Sequence, residues 1–250
     1  MRKREINTMT WQEYNDVFRE RVVILPVGSL EQHGPHLPLG VDVTIASQMS
    51  LRLSEEIDGL VLPAVTYGYK SQPASGGGPL FPGTTSLNGS TMTAVIQDIL
   101  EDILRQGAKK ILVLNGHFEN EPFIVEAVDL AVKRYQEVKV LVASWWDQIS
   151  ETLLAEIFNE VPFPGWALEH AAITETSLMQ LFSPDLVRLE NIDEEKFVPP
   201  TYHIYPVPMG LVPASGLLST VKSSSAQKGK MIVDEVISRL KEVVTREWGE

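Results

Sequence analysis

Short apolar runs alternate with helically spaced apolar positions along the first 150 residues. Residues 22–28 form a continuous apolar run that ends in glycine, which predicts a buried strand. Residues 43–57 then carry apolar side chains at Ile45, Met49, Leu53 and Ile57, one stripe of a helix. The alternation continues with a strand at 60–67, a helix at 92–104 (Val95, Ile96, Ile99, Ile103) and a strand at 109–114. A helix at 121–135 and a strand at 138–144 complete it. Strand and helix in strict succession imply parallel strands joined by crossover helices, so the expected fold class is α/β. Residues 173–181 again have helical spacing, and 231–248 read as a closing amphipathic helix. Two stretches have no period. Residues 70–87 are rich in Gly, Ser and Pro, and a loop that long inside a compact domain is usually functional or disordered. Residues 197–225 are irregular and hold five prolines. No repeat and no long polar linker interrupts the chain, so residues 1–250 are expected to form a single domain.

Candidate chemistry sits where the predicted strands end. Glu31, His33 and Asp42 follow the first strand, and His117 and Glu119 follow the third. Open α/β sheets bind ligands just beyond the carboxyl ends of their strands. Five imidazole and carboxylate groups at two such edges are what a two-cation hydrolytic site needs. Asp42 could bridge two cations, with Glu31 and His117 on one and His33 and Glu119 on the other. The plainer alternative makes Asp42 a helix N-cap, Glu31 and His33 loop residues, and Asn115–Asn120 a polar turn. A third cluster, Glu169-His170 followed by Glu175, could supply a proton shuttle, or simply decorate the positive end of a helix. Gly76-Gly77-Gly78 could form a backbone nest for an anion or a carbonyl, but lacks the Lys-Ser/Thr ending of a phosphate loop. Trp145, Trp146 and Trp166 are core residues or the walls of a pocket for a flat ring. Strand alternation would send Trp145 and Trp146 to opposite faces.

Composition narrows these readings. The chain has 250 residues and a formal charge of −12, with no basic cluster to track a phosphate backbone, so nucleic acid is not an expected partner. It has no cysteine, which removes disulfides and thiolate metal sites and leaves imidazole and carboxylate as the only metal ligands. No apolar run reaches the roughly 18 residues of a membrane span, and no export signal is readable, so the expected location is cytoplasmic.

Four segments together resemble the signature of the creatininase family. They are Leu25-Pro26-Val27-Gly28-Ser29-Leu30-Glu31-Gln32-His33-Gly34-Pro35-His36-Leu37-Pro38 with the following Asp42; Phe81-Pro82-Gly83-Thr84-Thr85-Ser86-Leu87; Asn115-Gly116-His117-Phe118-Glu119-Asn120; and Glu169-His170 with Glu175-Thr176-Ser177. The resemblance implies a three-layer α/β/α sandwich with a mostly parallel sheet, assembled as a homohexamer. It implies two divalent ions per subunit, Zn and/or Mn, one held by Glu31, Asp42 and His117 and the other by His33, Asp42 and Glu119. It gives His170 as the proton donor, with Glu119 also counted as catalytic, and Ser75, Phe118, Trp146, Trp166 and Glu175 as substrate-binding residues, Trp146 in a lid. The implied reaction is hydrolysis of a small cyclic amide, first of all creatinine to creatine. Another small ring or amide is the alternative, for example a cyclic keto-polyol such as 3-dehydro-scyllo-inosose, or a formamide. A non-catalytic small-molecule binder stands behind both. The pattern departs from the family at Phe118, where a tyrosine is expected, and at Pro79 and Leu80.

Overall fold

The computed structural model describes residues 4–135, 137–208 and 210–249. Among them, a short helix α1 (Trp11–Asn15) leads into β1 (Val23–Val27), and α2 (Val41–Glu56) carries the chain to β2 (Leu60–Val61). Helix α3 (Gly89–Gln106) leads to β3 (Lys110–Asn115), and α4 (Glu121–Val132) leads to β4 (Lys139–Ser144). The strands lie in the order β2-β1-β3-β4, and every neighbouring pair is parallel. Helices α5 (Glu151–Ile157), α6 (Ile173–Phe182) and α7 (Ala226–Trp248) follow the sheet. Among the described residues, no helix is long and apolar enough to cross a membrane.

The two-residue period of the strands divides the core into two layers. Ile24 of β1 and Leu112 and Leu114 of β3 pack with α2, α6 and α7. Val23, Leu25 and Val27 of β1, with Ile111 and Val113 of β3, pack with α3 and α4. Covering both faces is why these strands read as unbroken apolar runs and not as alternating ones. The result is the expected three-layer α/β/α arrangement.

Several elements differ from the pattern. The second strand is only two residues long, not eight. Leu62 donates to the Ile24 carbonyl and Val65 to the Pro26 carbonyl, but Pro26 and Pro63 have no N–H, so the ladder parts between those bonds and resumes at Val65. Helix α7 starts five residues before its apolar stripe, because the Ser225 hydroxyl accepts from the Lys228 N–H and caps the first turn. Gly229 lies in that turn, where a Cβ would stand 2.2 Å from the Ser177 carbonyl oxygen, so the glycine lets α7 lie directly on α6. Helix α5, too short to show a period, is started by the Ser150 cap.

Candidate metal and active site

All strands being parallel, their carboxyl ends share one edge, and Glu31 and His33 after β1 and His117 and Glu119 after β3 lie just beyond it. Glu31 and His33 lie in the loop after β1. His33 Nδ1–H donates to the Glu31 carbonyl at 3.0 Å, which leaves Nε2 facing Asp42 Oδ1 at 3.0 Å. Asp42 is in the first turn of α2, but the N-cap is Gly40, so the carboxylate is free to point into the cluster. After β3, His117 Nε2–H donates to the Tyr69 carbonyl at 2.9 Å. Its Nδ1 then faces Asp42 Oδ2 at 3.0 Å and Glu31 Oε2 at 3.2 Å. A ring nitrogen fixed by a carbonyl, with the other turned toward carboxylates, is the arrangement found behind metal-bound histidine. Asn120 does not cap α4. Its side chain ties three loops together, accepting from Tyr69 N–H at 2.8 Å and donating to the Gly28 carbonyl at 3.0 Å.

The glycine-rich loop holds the candidate carboxylates. Ser71 donates its hydroxyl proton to Glu31 Oε1 and accepts from the Gly78 N–H at 2.8 Å. Ser75 donates to Glu119 Oε1, which also accepts from the Gln72 N–H at 3.1 Å. A Cβ at Gly76 or Gly78 would come within 2.6 or 2.7 Å of Glu31 Oε1. Gly76 and Gly78 are therefore accounted for by close approach to a buried carboxylate and Gly77 by its left-handed turn against Val212, without the anion nest that the sequence also allowed.

One oxygen each of Glu31, Asp42 and Glu119 is buried without a hydrogen-bond partner. Unsatisfied buried carboxylate oxygens are costly unless a cation meets them. Glu31, Asp42 and His117 each place a ligand atom within 4.8 Å of the others, which fits one divalent ion. A second such group is His33, His170 and Glu175; the set His33, Asp42 and Glu119 is not gathered as tightly among the described residues. Burial pushes Glu31 and Glu175 up to about 7. Burial alone would lower both imidazoles, but the Asp42, Glu175 and Glu31 carboxylates raise His33 to about 10, and Glu31, Asp42 and Glu119 do the same for His117. Asp42 resists its burial and is held below the usual carboxylate range by His33 and His117. The surroundings strongly favour positive charge.

The third cluster splits by role. Glu169 caps α6, accepting from the N–H groups of Ile173 at 2.9 Å and Thr174 at 3.1 Å. His170 turns the other way, its ring 4.5 Å from that of His33 and its Nε2 3.9 Å from Glu31 Oε1. Burial and the charge of His33 hold His170 well below its ordinary value. Glu175 Oε2 accepts from the Ala171 N–H at 2.6 Å and lies 3.6 Å from His33 Nε2. A pocket of about 400 Å³, counting its open mouth, adjoins these groups and is lined by Ser75, Phe118, Glu119, Trp146, Trp166 and His170, among others. Strand alternation does not separate Trp145 and Trp146. The chain leaves β4 in a tight turn at Trp145–Gln148, and both rings are buried edge to face, 5.7 Å apart.

Gln32 and His36 went unassigned in the pattern. The Gln32 amide donates to the carbonyls of Gly76 at 2.9 Å and Gly216 at 3.0 Å, accepts from the Gly34 N–H, and lies 3.0 Å from His170 Nε2. Its place between Glu31 and His33 was the only sequence signal for that role.

The family model described as creatinine amidohydrolase matches residues 7–244. The creatinine amidohydrolase of Pseudomonas putida is 41% identical over 97% of this chain and 96% of its own. A mycofactocin precursor peptide peptidase of Mycolicibacterium smegmatis is 31% identical over 87% of this chain and 81% of its own. Three solved creatininase structures are each 40% identical and cover 99% of this chain and 100% of theirs: a variant complexed with creatine (TM-score 0.95), a Zn–Zn form (0.94) and an Mn form (0.95).

Proposed function

This chain belongs to the creatininase family, and from that premise we propose that it is a metal-dependent amidohydrolase that opens creatinine to creatine. The observation that carries the reading is the meeting of the partnerless oxygens of Glu31 and Asp42 with the free Nδ1 of His117, the partnerless oxygen of Glu119 lying on the other side of the same ring, beside a pocket walled by tryptophan. Glu31, Asp42 and His117 would hold one divalent ion, and His33, Asp42 and Glu119 the other, with Zn or Mn as in the related structures. Such a pair, when bound, acidifies water and polarises a carbonyl. The chain's own groups do the rest. Ser75 and the Gln72 N–H orient Glu119. Trp146, Trp166 and Phe118 offer flat faces to a planar ring and exclude water, with Ser75 and Glu175 at the same pocket. The ring C–N bond breaks as the oxygen of water bonds to the carbonyl carbon, and His170, held neutral by burial, takes up the proton that the water gives up and delivers it to the departing nitrogen. The whole chain acts as one domain, in the cytoplasm, within a homohexamer. Light scattering at micromolar concentration should give six times the 27.8 kDa chain mass; a monomer would refute the assembly.

The test is a substrate panel on Zn- or Mn-loaded protein: creatinine, a cyclic keto-polyol, a formamide and a short peptide. Creatinine turnover supports the reading, and turnover of another member alone moves the substrate while leaving the site. His170→Ala should keep its metal while kcat falls roughly 10²- to 10⁴-fold. One observation favours a second role for His170, its grouping with His33 and Glu175 at ligand spacing. Equal loss of metal and turnover in His170→Ala would make it a ligand of the second ion.

A further inference from the structure

We propose that His36 and Thr176 are positioning residues for His170, acting through a left-handed turn at Ala171. The inference rests on the reading of His170 as the proton donor. Ala171 directly follows it, is fully buried, and has φ +56, a conformation rare for a residue with a Cβ. Such outliers persist only where their surroundings hold them, and they concentrate at functional sites. Here both ends of the residue are pinned. Its N–H donates to Glu175 Oε2 at 2.6 Å, and its carbonyl accepts from the Thr176 hydroxyl at 3.2 Å.

The Thr176 hydroxyl has one proton, and Ala171 receives it. Toward His36, 2.9 Å away, the hydroxyl can therefore only accept, which puts the proton of His36 on Nε2. His36 is itself fixed, 1% exposed, with its backbone carbonyl accepting from the Arg188 N–H at 2.9 Å. The line from His36 through the Thr176 hydroxyl to the Ala171 carbonyl makes no hydrogen bond to Glu31, His33, Asp42, His117 or Glu119, and only the Ala171 N–H meets Glu175. On the other side of His170, Glu169 caps α6. The acid is thus bracketed between Glu169, whose carboxylate is tied to the helix start, and a pinned, strained residue. Relaxation of Ala171 would rotate the peptide that carries His170 and swing its ring from its place 4.5 Å from His33.

Ala171→Gly, Thr176→Val and Thr176→Ser in the metal-loaded hexamer test this, with His170→Ala as reference. Glycine adopts the left-handed turn without strain but also leaves it freely. Ala171→Gly and Thr176→Val should lower kcat on creatinine roughly 10- to 100-fold, with KM within about two-fold and metal content unaltered. Thr176→Ser should restore most of the loss. The melting temperature of Ala171→Gly should not fall, which separates positioning from folding. Crystals of Ala171→Gly should show the His170 ring displaced from His33, a readout independent of turnover. Unaltered kcat in Ala171→Gly and Thr176→Val beside an inactive His170→Ala would overturn the positioning role and leave the acid in place. Full turnover in His170→Ala would remove the acid and the proposal with it. Loss of metal in Ala171→Gly would also overturn the proposal, since the turn would then support the ligands.

Discussion

Gly78→Ala separates a loop that binds ligand from a loop that shapes a metal ligand. Gly78 does not have a positive φ, so alanine fits its backbone and only space is tested. The new Cβ would stand 2.7 Å from Glu31 Oε1, 2.8 Å from its Cγ and 2.9 Å from its Cδ. An ordinary contact begins near 3.4 Å, so one partner must retreat by about 0.7 Å. Metal–oxygen bonds tolerate about 0.2 Å. If Glu31 retreats, affinity for the first ion should fall roughly 10- to 100-fold, the usual scale for disturbing the support of a ligand. That is about 1.4–2.7 kcal/mol. If the loop retreats instead, overpacking should cost about 1–3 kcal/mol of stability in the metal-free protein. Titration with a competing chelator reads the first outcome, and a denaturant midpoint of the chelated protein reads the second. A variant with the same metal affinity and the same midpoint would refute the close approach and reopen the anion-nest reading of the glycines.

Asp42→Ala should lose most bound metal and nearly all turnover, because its two oxygens face His33 and His117 at 3.0 Å each; two retained equivalents per chain would sink the bridging role. Phe118, 43% exposed at the pocket and 5.9 Å from the Trp146 ring, keeps an aromatic wall without a hydroxyl. Phe118→Tyr should raise kcat/KM for creatinine by roughly ten-fold or less, the worth of one neutral hydrogen bond, and a fall would place the new hydroxyl against the substrate. The metal-free protein should melt at progressively lower temperature as pH rises from about 5 to 10. Burial raises Glu31 and Glu175 to about 7, so the stability they add below 4.5 is lost by pH 7; carboxylates raise His33 and His117 to about 10 against their burial, so the stability these add below 6.5 is lost by pH 10. Bound metal should oppose that fall, since ligation favours deprotonated groups, and a metal-free melting temperature that climbs from pH 6 to 9 would contradict the charge balance.

What was legible in the chain follows from what periodicity encodes. Parallel β1 and β3 announce themselves because central strands covered on both faces are apolar along their length, and parallelism alone puts Glu31, His33, His117 and Glu119 on one edge. Periodicity says nothing of strand ends governed by absent donors, so Pro26 and Pro63 shortened β2 unseen. It also says nothing of contacts between loops. Ser71 on Glu31, Ser75 on Glu119 and Asn120 across three loops are set by tertiary approach, and their residue types occur in any polar turn. The same limit hid the difference between Glu169 and His170, neighbours in sequence that face opposite tasks. A carboxylate that caps a helix and an imidazole that faces a pocket stand side by side, just before one left-handed residue. No composition or spacing predicts positive φ at an alanine, since the sequence cost of that conformation is usually met by glycine. Where the local rule is broken at Ala171, the surrounding hydrogen bonds supply what the residue type does not, and that is where the chain spends local stability on the direction of a single side chain.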